Sequence, residues 1–551
     1  MKVRARGALI GLLLLATALS LAAPVCAQTR YTMQTTLFTN GVSGPGEANS
    51  ITTNGAVYMT TFGLTSRAKT ELREFDLNIS GLSTDDHRIN PEALSLTNVQ
   101  LRMADARGVM NLGDTFEPFS HYTLNSALKG LSWRTGSPGQ PEITFVYGYS
   151  YPNWNSFAND SGNKAITRIG YGARVKKDLS RMWTIGFNAM RSTDDDRVNV
   201  GDPLDPLVPV DPLYDIDLYG VDWEYRPFSD LSLRGEFCYG NTQTDPGSGE
   251  ATTSSAGIAH RFVFDGNTGQ TKILMEYERV APGFATVLGS AISDRERVKL
   301  KWRQKNSRTV TMNYGVAWYQ DNLAGQKDFT TSHLRPEIGI TVRNPLGRSG
   351  ATADITYRLD RRFGGGKSTT NGFWMTGYRA PLGDVDCDAN AGYTSYETRD
   401  PLLVPTEVKE YIYNATFSTS RSRGNSVLRP YVRMGGWVSD DERSNLKKRV
   451  REFSVGCGLN VPTGRLSADV KIGWNKLKPG PSRIQSDVGA VGATNNSAKM
   501  FGVVTVYYTP PFLEKSNQQI FLKAYLNDYN YVVDQEDFRE NSVAFGLTRQ
   551  Y

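Results

Sequence analysis

Basic side chains recur at every second position in the middle of the chain. Between Ser293 and Lys305 they alternate with residues such as Val298 and Trp302. Successive side chains of an extended strand point to opposite faces, so the bases would form one positive stripe. Such a stripe either pairs with acids on neighbouring strands or forms a selectivity or docking surface for an acidic solute or partner. Both interpretations place the bases on one face of the strand, turned toward an enclosed interior: Arg295, Arg297, Lys299, Lys301, Arg303 and Lys305.

Acidic side chains that could face the same interior lie on two other segments. They do not define a general acid–base pair, because that assignment needs known geometry. The chain also contains neither a GxSxG nucleophile motif nor an HExxH zinc motif. We therefore expect that the protein is not an enzyme. The acidic candidates are Asp384, Asp386, Asp388, Glu276 and Glu278.

Metal and haem chemistry has little support in the composition. The four histidines are far apart, and the cysteines beyond residue 27 are Cys238, Cys387 and Cys457, with no CxxC or CxxCH motif. Structural zinc sites and c-type haem attachment both require closely spaced ligands of these types. We expect no metal site and no cofactor bound by this chain; any haem would be held by a partner protein.

The first 27 residues have the three parts of a secretory signal. A basic start is followed by an apolar run around Leu12 to Leu15 and by small residues that end at Ala27. We predict a cleaved signal peptide over residues 1–27. The remaining chain has 59 basic and 56 acidic side chains, so its charge does not indicate nucleic-acid binding.

Strict alternation of apolar and polar residues is the main structural signal after residue 27. The segments 465–475, 353–360 and 168–176 all place apolar side chains on one face and charged or small ones on the other. Apart from the signal, no apolar run reaches the roughly 18 residues of a spanning helix. Alternation over the whole chain, with charges on the second face, is typical of strands between lipid and a wet lumen. We therefore predict a single outer-membrane β-barrel over residues 28–551. We expect aromatic residues of the lipid-facing set, such as Trp183, Trp223 and Tyr225, to lie near the membrane interfaces.

Connections between these strands alternate in length, as in outer-membrane barrels. The short links include Pro227 to Asp230 and Pro381 to Gly383, and the longer polar stretches include 192–212, 364–370 and 478–496. The predicted fold is an all-β, transmembrane, antiparallel up-and-down barrel of about 26 strands, within a range of 20 to 26, with both termini in the periplasm. The early strands are predicted at 29–39, 51–63, 69–81, 94–103, 107–113, 127–136 and 141–150.

The end of the chain resembles the C-terminal signal by which outer-membrane barrels are recognised for insertion. Apolar residues alternate and an aromatic residue closes the chain: Val543, Phe545, Leu547 and Tyr551. Arg549 departs from the pattern, which has an apolar residue at that position. The resemblance implies recognition by the barrel-assembly machinery and contact with outer-membrane lipid.

A barrel of about 26 strands encloses a wide lumen, since width grows with strand number. The sequence shows no separate plug domain, because strands begin almost directly after Gln28 and no outer loop is predicted to exceed about two dozen residues. One stretch, from Asn111 to Gly130, alternates only weakly. Whether residues 84–128 form strands or a loop that covers the mouth is left open by the pattern.

In size, signal peptide, strand number and lack of a plug, the chain resembles the barrel component of porin–cytochrome complexes, the decahaem-associated outer-membrane family. The N-terminal CxxC of some members is missing here. The resemblance implies a porin-like scaffold or sheath for a lumen partner, a multihaem cytochrome that carries electrons across the outer membrane of a Gram-negative bacterium. The alternative is a passive diffusion porin or a polysaccharide-export channel with a charged lumen.

Overall fold

The segments in which apolar and polar residues alternate form strands in the computed structural model. Asp469 and Lys471, for example, face the interior, while Val470 and Ile472 are exposed on the outside. The predicted signal peptide and Tyr551 lie outside the residues that the structure describes. Those residues are 28–50, 52, 54–86, 90, 93–136, 139–150, 154, 168–194, 212–246, 251–401, 403–441, 446–461, 465–478, 497–514, 518–531 and 534–550.

The first half of the barrel is a series of antiparallel strands in which each strand pairs with the next along the chain. This up-and-down order allows short hairpin connections throughout. The strands are β1 (Gln28–Ser43), β2 (Gly55–Lys69), β3 (Arg73–Thr84), β4 (Leu94–Asp105), β5 (Gly108–Thr115), β6 (Leu128–Thr135), β7 (Glu142–Ser150), β8 (Arg168–Asp178), β9 (Trp183–Asp194), β10 (Leu213–Phe228), β11 (Leu231–Asp245), β12 (Thr253–Asn267) and β13 (Thr271–Val280).

The second half continues the same order. The strands are β14 (Arg295–Lys305), β15 (Val310–Asp321), β16 (Ser332–Arg343), β17 (Thr352–Gly364), β18 (Lys367–Leu382), β19 (Val385–Asp400), β20 (Leu403–Thr419), β21 (Arg421–Arg423), β22 (Ser426–Asp441), β23 (Leu446–Val461), β24 (Leu466–Lys478), β25 (Ser497–Tyr508), β26 (Gln518–Tyr531) and β27 (Phe538–Gln550).

The barrel closes where the last strand pairs with the first. β1 and β27 are antiparallel from Thr32 opposite Gln550 to Ser43 opposite Arg539. β20 and β21 both pair with β22 and occupy one position in the wall, so the 27 segments make a 26-strand barrel. Closure leaves no unpaired sheet edge, which satisfies the backbone hydrogen bonds without water. The predicted all-β antiparallel barrel and its strand number are confirmed, and the periplasmic position of the termini stays a prediction.

Successive side chains of each strand lie on opposite faces of the barrel wall. On β27, Val543, Phe545 and Leu547 are exposed on the outer face, whereas Ser542 and Ala544 are buried on the inner face. The three apolar residues of the predicted insertion signal therefore share the outside of the barrel. On β9 and β10, Trp183 stacks on Tyr225 with ring centroids 4.6 Å apart, also on the outside.

Connections alternate between the two ends of the barrel. We call the end that holds Gln28 and Gln550 the terminal end; there the turns are short, as at 229–230 and 383–384. Connections at the opposite end include the long ones at 281–294 and 322–331. The prediction of a long connection at 364–370 is wrong. β17 and β18 stay paired up to a tight turn at 365–366, because the ends of this hairpin are polar on both faces and so resemble a loop in sequence.

Early strand limits also differ from the prediction. β2 and β3 lie about four residues later than predicted, since the turn between them is at 70–72. There the Thr70 hydroxyl accepts a hydrogen bond from the backbone N–H of Arg73 at 2.9 Å, which stabilises the turn. One turn of α-helix, Pro511–Glu514, lies in a terminal-end connection. Within the described ranges, no helix is both long and apolar enough to cross a membrane.

Candidate functional site: the lumen wall and two inserted segments

Two connections at the opposite end fold inward and lie against the inner wall. We call residues 116–127, between β5 and β6, the first inserted segment, and residues 281–294, between β13 and β14, the second inserted segment. Both contribute fully buried apolar side chains. With lumen-facing residues of β6 to β13 they form one hydrophobic cluster: Phe119, Tyr122, Leu124, Leu128, Val146, Met190, Ile216, Leu218, Cys238, Ala259, Val280, Phe284 and Leu288.

The two inserted segments also bind each other. The rings of Tyr122 and Phe284 meet edge to face with centroids 5.8 Å apart. The backbone N–H of Asn125 donates to the carbonyl of Leu288 at 2.8 Å, and the N–H of Ser290 donates to the carbonyl of His121 at 2.9 Å. Burying each large apolar side chain contributes about 1.5–3 kcal/mol, so the segments hold their position together.

Glycines in the wall make room for the second inserted segment. A Cβ atom on Gly257 of β12 would overlap the backbone nitrogen of Phe284, and one on Gly240 of β11 would lie 3.0 Å from the Phe284 ring. A Cβ on Gly170 of β8 would crowd the side chains of Leu288 and Met190. The absence of side chains at these positions lets the segment approach the wall backbone.

We expect Gly257→Ala to displace the second inserted segment while the barrel still assembles. Rotation of a side chain cannot relieve an overlap with backbone, and overpacking of this kind costs about 1–3 kcal/mol. Chymotrypsin should cleave after Phe284 roughly tenfold faster than in the wild type, since cleavage follows the population of the open segment. Gly315→Ala on β15 is the matched control, because its Cβ meets the nearest atom at an ordinary 3.5 Å. Equal cleavage of both variants would contradict the role of Gly257.

A belt of charged residues on the wall holds the first inserted segment. Glu236 of β11 accepts hydrogen bonds from the backbone N–H groups of His121 and Tyr122, at 3.1 and 3.0 Å. The His121 Nε2 atom lies 3.0 Å from Glu278 of β13. Arg174 of β8 donates to the carbonyl of Pro118 at 3.3 Å. These bonds satisfy polar backbone groups that the segment carries out of water.

The acids Glu276 and Glu278, which the sequence placed in the lumen, belong to this belt. Arg297 of β14 lies 2.7 Å from Glu276 and 2.9 Å from Glu278, and Arg261 of β12 lies 3.0 Å from Glu276. Both carboxylates are buried beside these bases. Cross-strand pairing, one of the two interpretations of the stripe, therefore describes Arg297.

The remaining bases of the stripe are arranged differently. The Arg295 guanidinium lies 4.4 Å from the ring centroid of Tyr319. Among the residues that the structure describes, Lys299, Lys301, Arg303 and Lys305 form no ion pair. The last three are exposed and lie in the half of β14 nearer the terminal end. Arg303 faces another base, Lys272, across the β13–β14 pair.

The acidic residues near β19 lie in another sector. Asp388 pairs with Arg379 of the neighbouring β18 at 2.6 Å, and Asp386 is exposed on the same inner face. Asp384 belongs to the turn before β19, because the strand begins only at Val385. Four strands, β15 to β18, lie between β14 and β19, so these acids do not meet the basic stripe.

The outer part of the second inserted segment is clamped to the next connection. Lys327 lies 2.6 Å from Asp294, which also accepts N–H hydrogen bonds from Leu323 and Asn322. Burial opposes ionisation of Asp294, but Lys327 and the two N–H donors outweigh it and lower the pKa of this carboxyl. In the first inserted segment, burial and then the charges of Glu278 and Glu236 raise the pKa of Tyr122.

No separate plug domain was predicted, and part of the lumen is instead occupied by the two inserted segments. Residues 84–128 combine both alternatives: most of 94–115 is strand, and 116–127 folds inside. The second inserted segment was missed by strand periodicity. The sequence does contain a signal for it. Pro282 and Gly283 are followed by apolar residues that do not alternate with polar ones, whereas connections between barrel strands are expected to be polar. Within the described part of the chain, no group of histidine, cysteine or acidic residues could hold a metal ion.

A closed 26-strand barrel with an apolar outside and a charged lumen defines the class: a large β-barrel of the outer-membrane type. The family model of the S-layer protein SlpA, beta-barrel domain, matches residues 48–332, slightly more than half of the chain. The chain therefore belongs to this S-layer barrel family. Both inserted segments and the basic stripe lie in the matched part. The resemblance to porin–cytochrome barrels stays a prediction.

Solved structures are similar in fold only. The translocation pore of the P pilus usher is 9% identical, with 95% of this chain and 99% of that chain covered and a TM-score of 0.43. The ferric enterobactin receptor of Pseudomonas aeruginosa is 10% identical, with coverage of 95% and 80% and a TM-score of 0.41. The FrpB iron transporter of Neisseria meningitidis is 10% identical, with coverage of 95% and 81% and a TM-score of 0.41. No curated protein sequence matches the chain.

Proposed function

We propose that the protein is a porin-like channel of the bacterial outer membrane whose lumen favours anions. Its signal peptide is removed, the barrel-assembly machinery recognises β27, and the terminal end faces the periplasm. The protein catalyses no reaction and binds no cofactor of its own. Membership of the S-layer barrel family supports a place in the cell envelope.

The outer surface of the barrel supports insertion into lipid. Large apolar side chains are exposed on strand after strand, among them Phe187, Phe237 and Ile472. Exposed apolar area of this extent is unfavourable in water but suits the hydrocarbon region of a bilayer. The stacked Trp183 and Tyr225 lie close to the terminal end, where an interfacial aromatic girdle is expected.

The unpaired part of the basic stripe carries the proposal of anion preference. Lys301, Arg303 and Lys305 are exposed to the lumen and have no acidic partner among the described residues. Rings or rows of fixed charge on a pore wall raise the local concentration of the opposite ion. Arg297, by contrast, is neutralised by Glu276 and Glu278 and adds little to the field.

A planar bilayer measurement on the purified barrel tests this function. Under a KCl gradient, the reversal potential should show that chloride permeates more readily than potassium. The preference should weaken as ionic strength rises, because salt screens exposed charges. A cation preference, or the absence of any channel, would contradict the proposal.

A second candidate is the sheath for a multihaem cytochrome. It is favoured by the 26-strand wall, of which the hydrophobic cluster with the inserted segments covers only the sector from β6 to β13. The remaining inner wall would then contact a partner protein. Haem staining of the complex purified from native membranes distinguishes the two candidates: a stoichiometric haem protein favours the sheath, and its absence favours the free channel.

A further inference from the structure

A cavity of about 200 Å³ lies between the first inserted segment and the inner wall. We call it the wall cavity. Phe119 and Ser120 cover it, and strands β8 to β12 line its wall. The side chains important for its chemistry are Phe119, Arg174, Lys176, Asp222, Arg234 and Val263.

Most charges around the wall cavity already have partners. Arg174 pairs with Asp222 at 2.6 Å, and Glu224 pairs with Arg226 at 2.9 Å. Two further lining residues, Arg261 and Glu236, are bound to Glu276 and to the backbone of the first inserted segment. Each acid of the lining therefore has a base or hydrogen-bond donors as partners.

Two bases of the lining remain available. Lys176 of β8 and Arg234 of β11 form no ion pair with any residue that the structure describes, although Glu142 and Glu224 are their neighbours in register. The buried Nε atom of Arg174 also has no hydrogen-bond partner there. Unpaired donors at the edge of a small cavity favour an anionic ligand, since charged hydrogen bonds are the strongest available to it.

We infer that the wall cavity binds a small organic carboxylate by means of Lys176 and Arg234. This inference rests on the proposed anion channel and identifies the class of solute that binds transiently in its lumen. Guanidinium groups match the planar geometry of a carboxylate. Phe119 and Val263 supply apolar surface for a carbon skeleton, which an inorganic anion lacks. The volume admits a molecule well below the size of a drug.

Titration calorimetry of the purified full barrel with succinate tests the inference. We expect saturable binding to the wild type and at least tenfold weaker binding to the Lys176→Gln/Arg234→Gln variant, because each charged hydrogen bond contributes enough for about that factor. Neutral succinamide should not bind. Inorganic phosphate should bind more weakly than succinate, since it gains nothing from Phe119 and Val263.

Arg335→Gln/Arg343→Gln on β16 is the matched control. It removes the same charge from exposed residues of another part of the lumen wall, so succinate affinity should stay as in the wild type. Equal affinity of the cavity variant and the wild type, or equal loss in the control, would overturn the carboxylate site. Tighter binding of phosphate than succinate would overturn it as well.

Reversal potentials of the same preparations separate this inference from the proposed function. If the wild type prefers anions but does not bind succinate, the carboxylate site is wrong and the channel proposal stands. If succinate binds through Lys176 and Arg234 without any anion preference, the site stands and the proposed selectivity is wrong.

Discussion

The Phe284→Asp/Leu288→Asp variant is expected to conduct more current than the wild type and to expose the first inserted segment to protease. Both side chains lie in the hydrophobic cluster against the wall and are almost completely buried. Their removal loses about 3–6 kcal/mol of burial, and two carboxylates would resist the same apolar site. The second inserted segment should leave the wall, and the lumen should widen.

Chymotrypsin provides the second measurement for this variant, because Phe119, Tyr122 and Leu124 of the first inserted segment remain unchanged. Loss of the Tyr122–Phe284 contact and of the backbone bonds between the segments should raise cleavage there by about a hundredfold or more. Phe329→Asp is the control: Phe329 lies in the neighbouring connection at 322–331 and is 54% exposed. If the control opens the barrel as much, the hydrophobic cluster is not what holds the segments.

Reversing the free part of the basic stripe should invert ion selectivity. In Lys301→Glu/Arg303→Glu/Lys305→Glu, three positive charges on one pore wall become negative, a change of six charges in a row about 13 Å long. The reversal potential in a KCl gradient should change sign, because the sign of fixed lumen charge decides which ion accumulates. The substitutions lie on exposed side chains, so assembly should be unaffected.

The neutral variant Lys301→Gln/Arg303→Gln/Lys305→Gln is the graded control and should give an intermediate reversal potential. Arg297→Gln should behave differently. It leaves Glu276 and Glu278 without their shared base, and breaking a buried ion pair is costly. We expect it to lower stability more than it changes selectivity. Unchanged selectivity in the triple reversal would remove the basic stripe from the conduction path.

Alternation along single strands predicted most of the fold. The outward set on β27 and the inward charges on β24 follow from a period of two residues, which the pleated backbone imposes locally. Tight turns at 229–230 and 383–384 were also near the predicted sites, because proline, glycine and aspartate favour turns through their own backbone preferences. The lengths of the opposite-end connections were less predictable, because the polar residues at the end of an extended hairpin have the same composition as a loop.

Pairing within the lumen could not be read from the stripe alone. The sequence placed six bases on one face, but only the register between β13 and β14 puts Glu276 and Glu278 within reach of Arg297. Asp386 and Asp388 are equally plausible partners by charge, but they lie on β19, five strands away from β14. Residues that are close in a barrel wall are set by strand order and shear, which no single strand encodes.

By itself the sequence determined an alternating all-β chain that closes as a large barrel with a charged interior, because side-chain period and turn chemistry are local properties. Only the tertiary structure decided that residues 116–127 and 281–294 fold inside and that Gly257 makes space for Phe284. The tertiary structure also decided which basic side chains of the stripe pair with an acid and which do not. The two inserted segments meet through residues more than a hundred positions apart, such as Tyr122 and Phe284, whereas the contacts of Gly257 and Arg297 depend on the register between strands. Neither kind of contact leaves a periodic trace in a single segment.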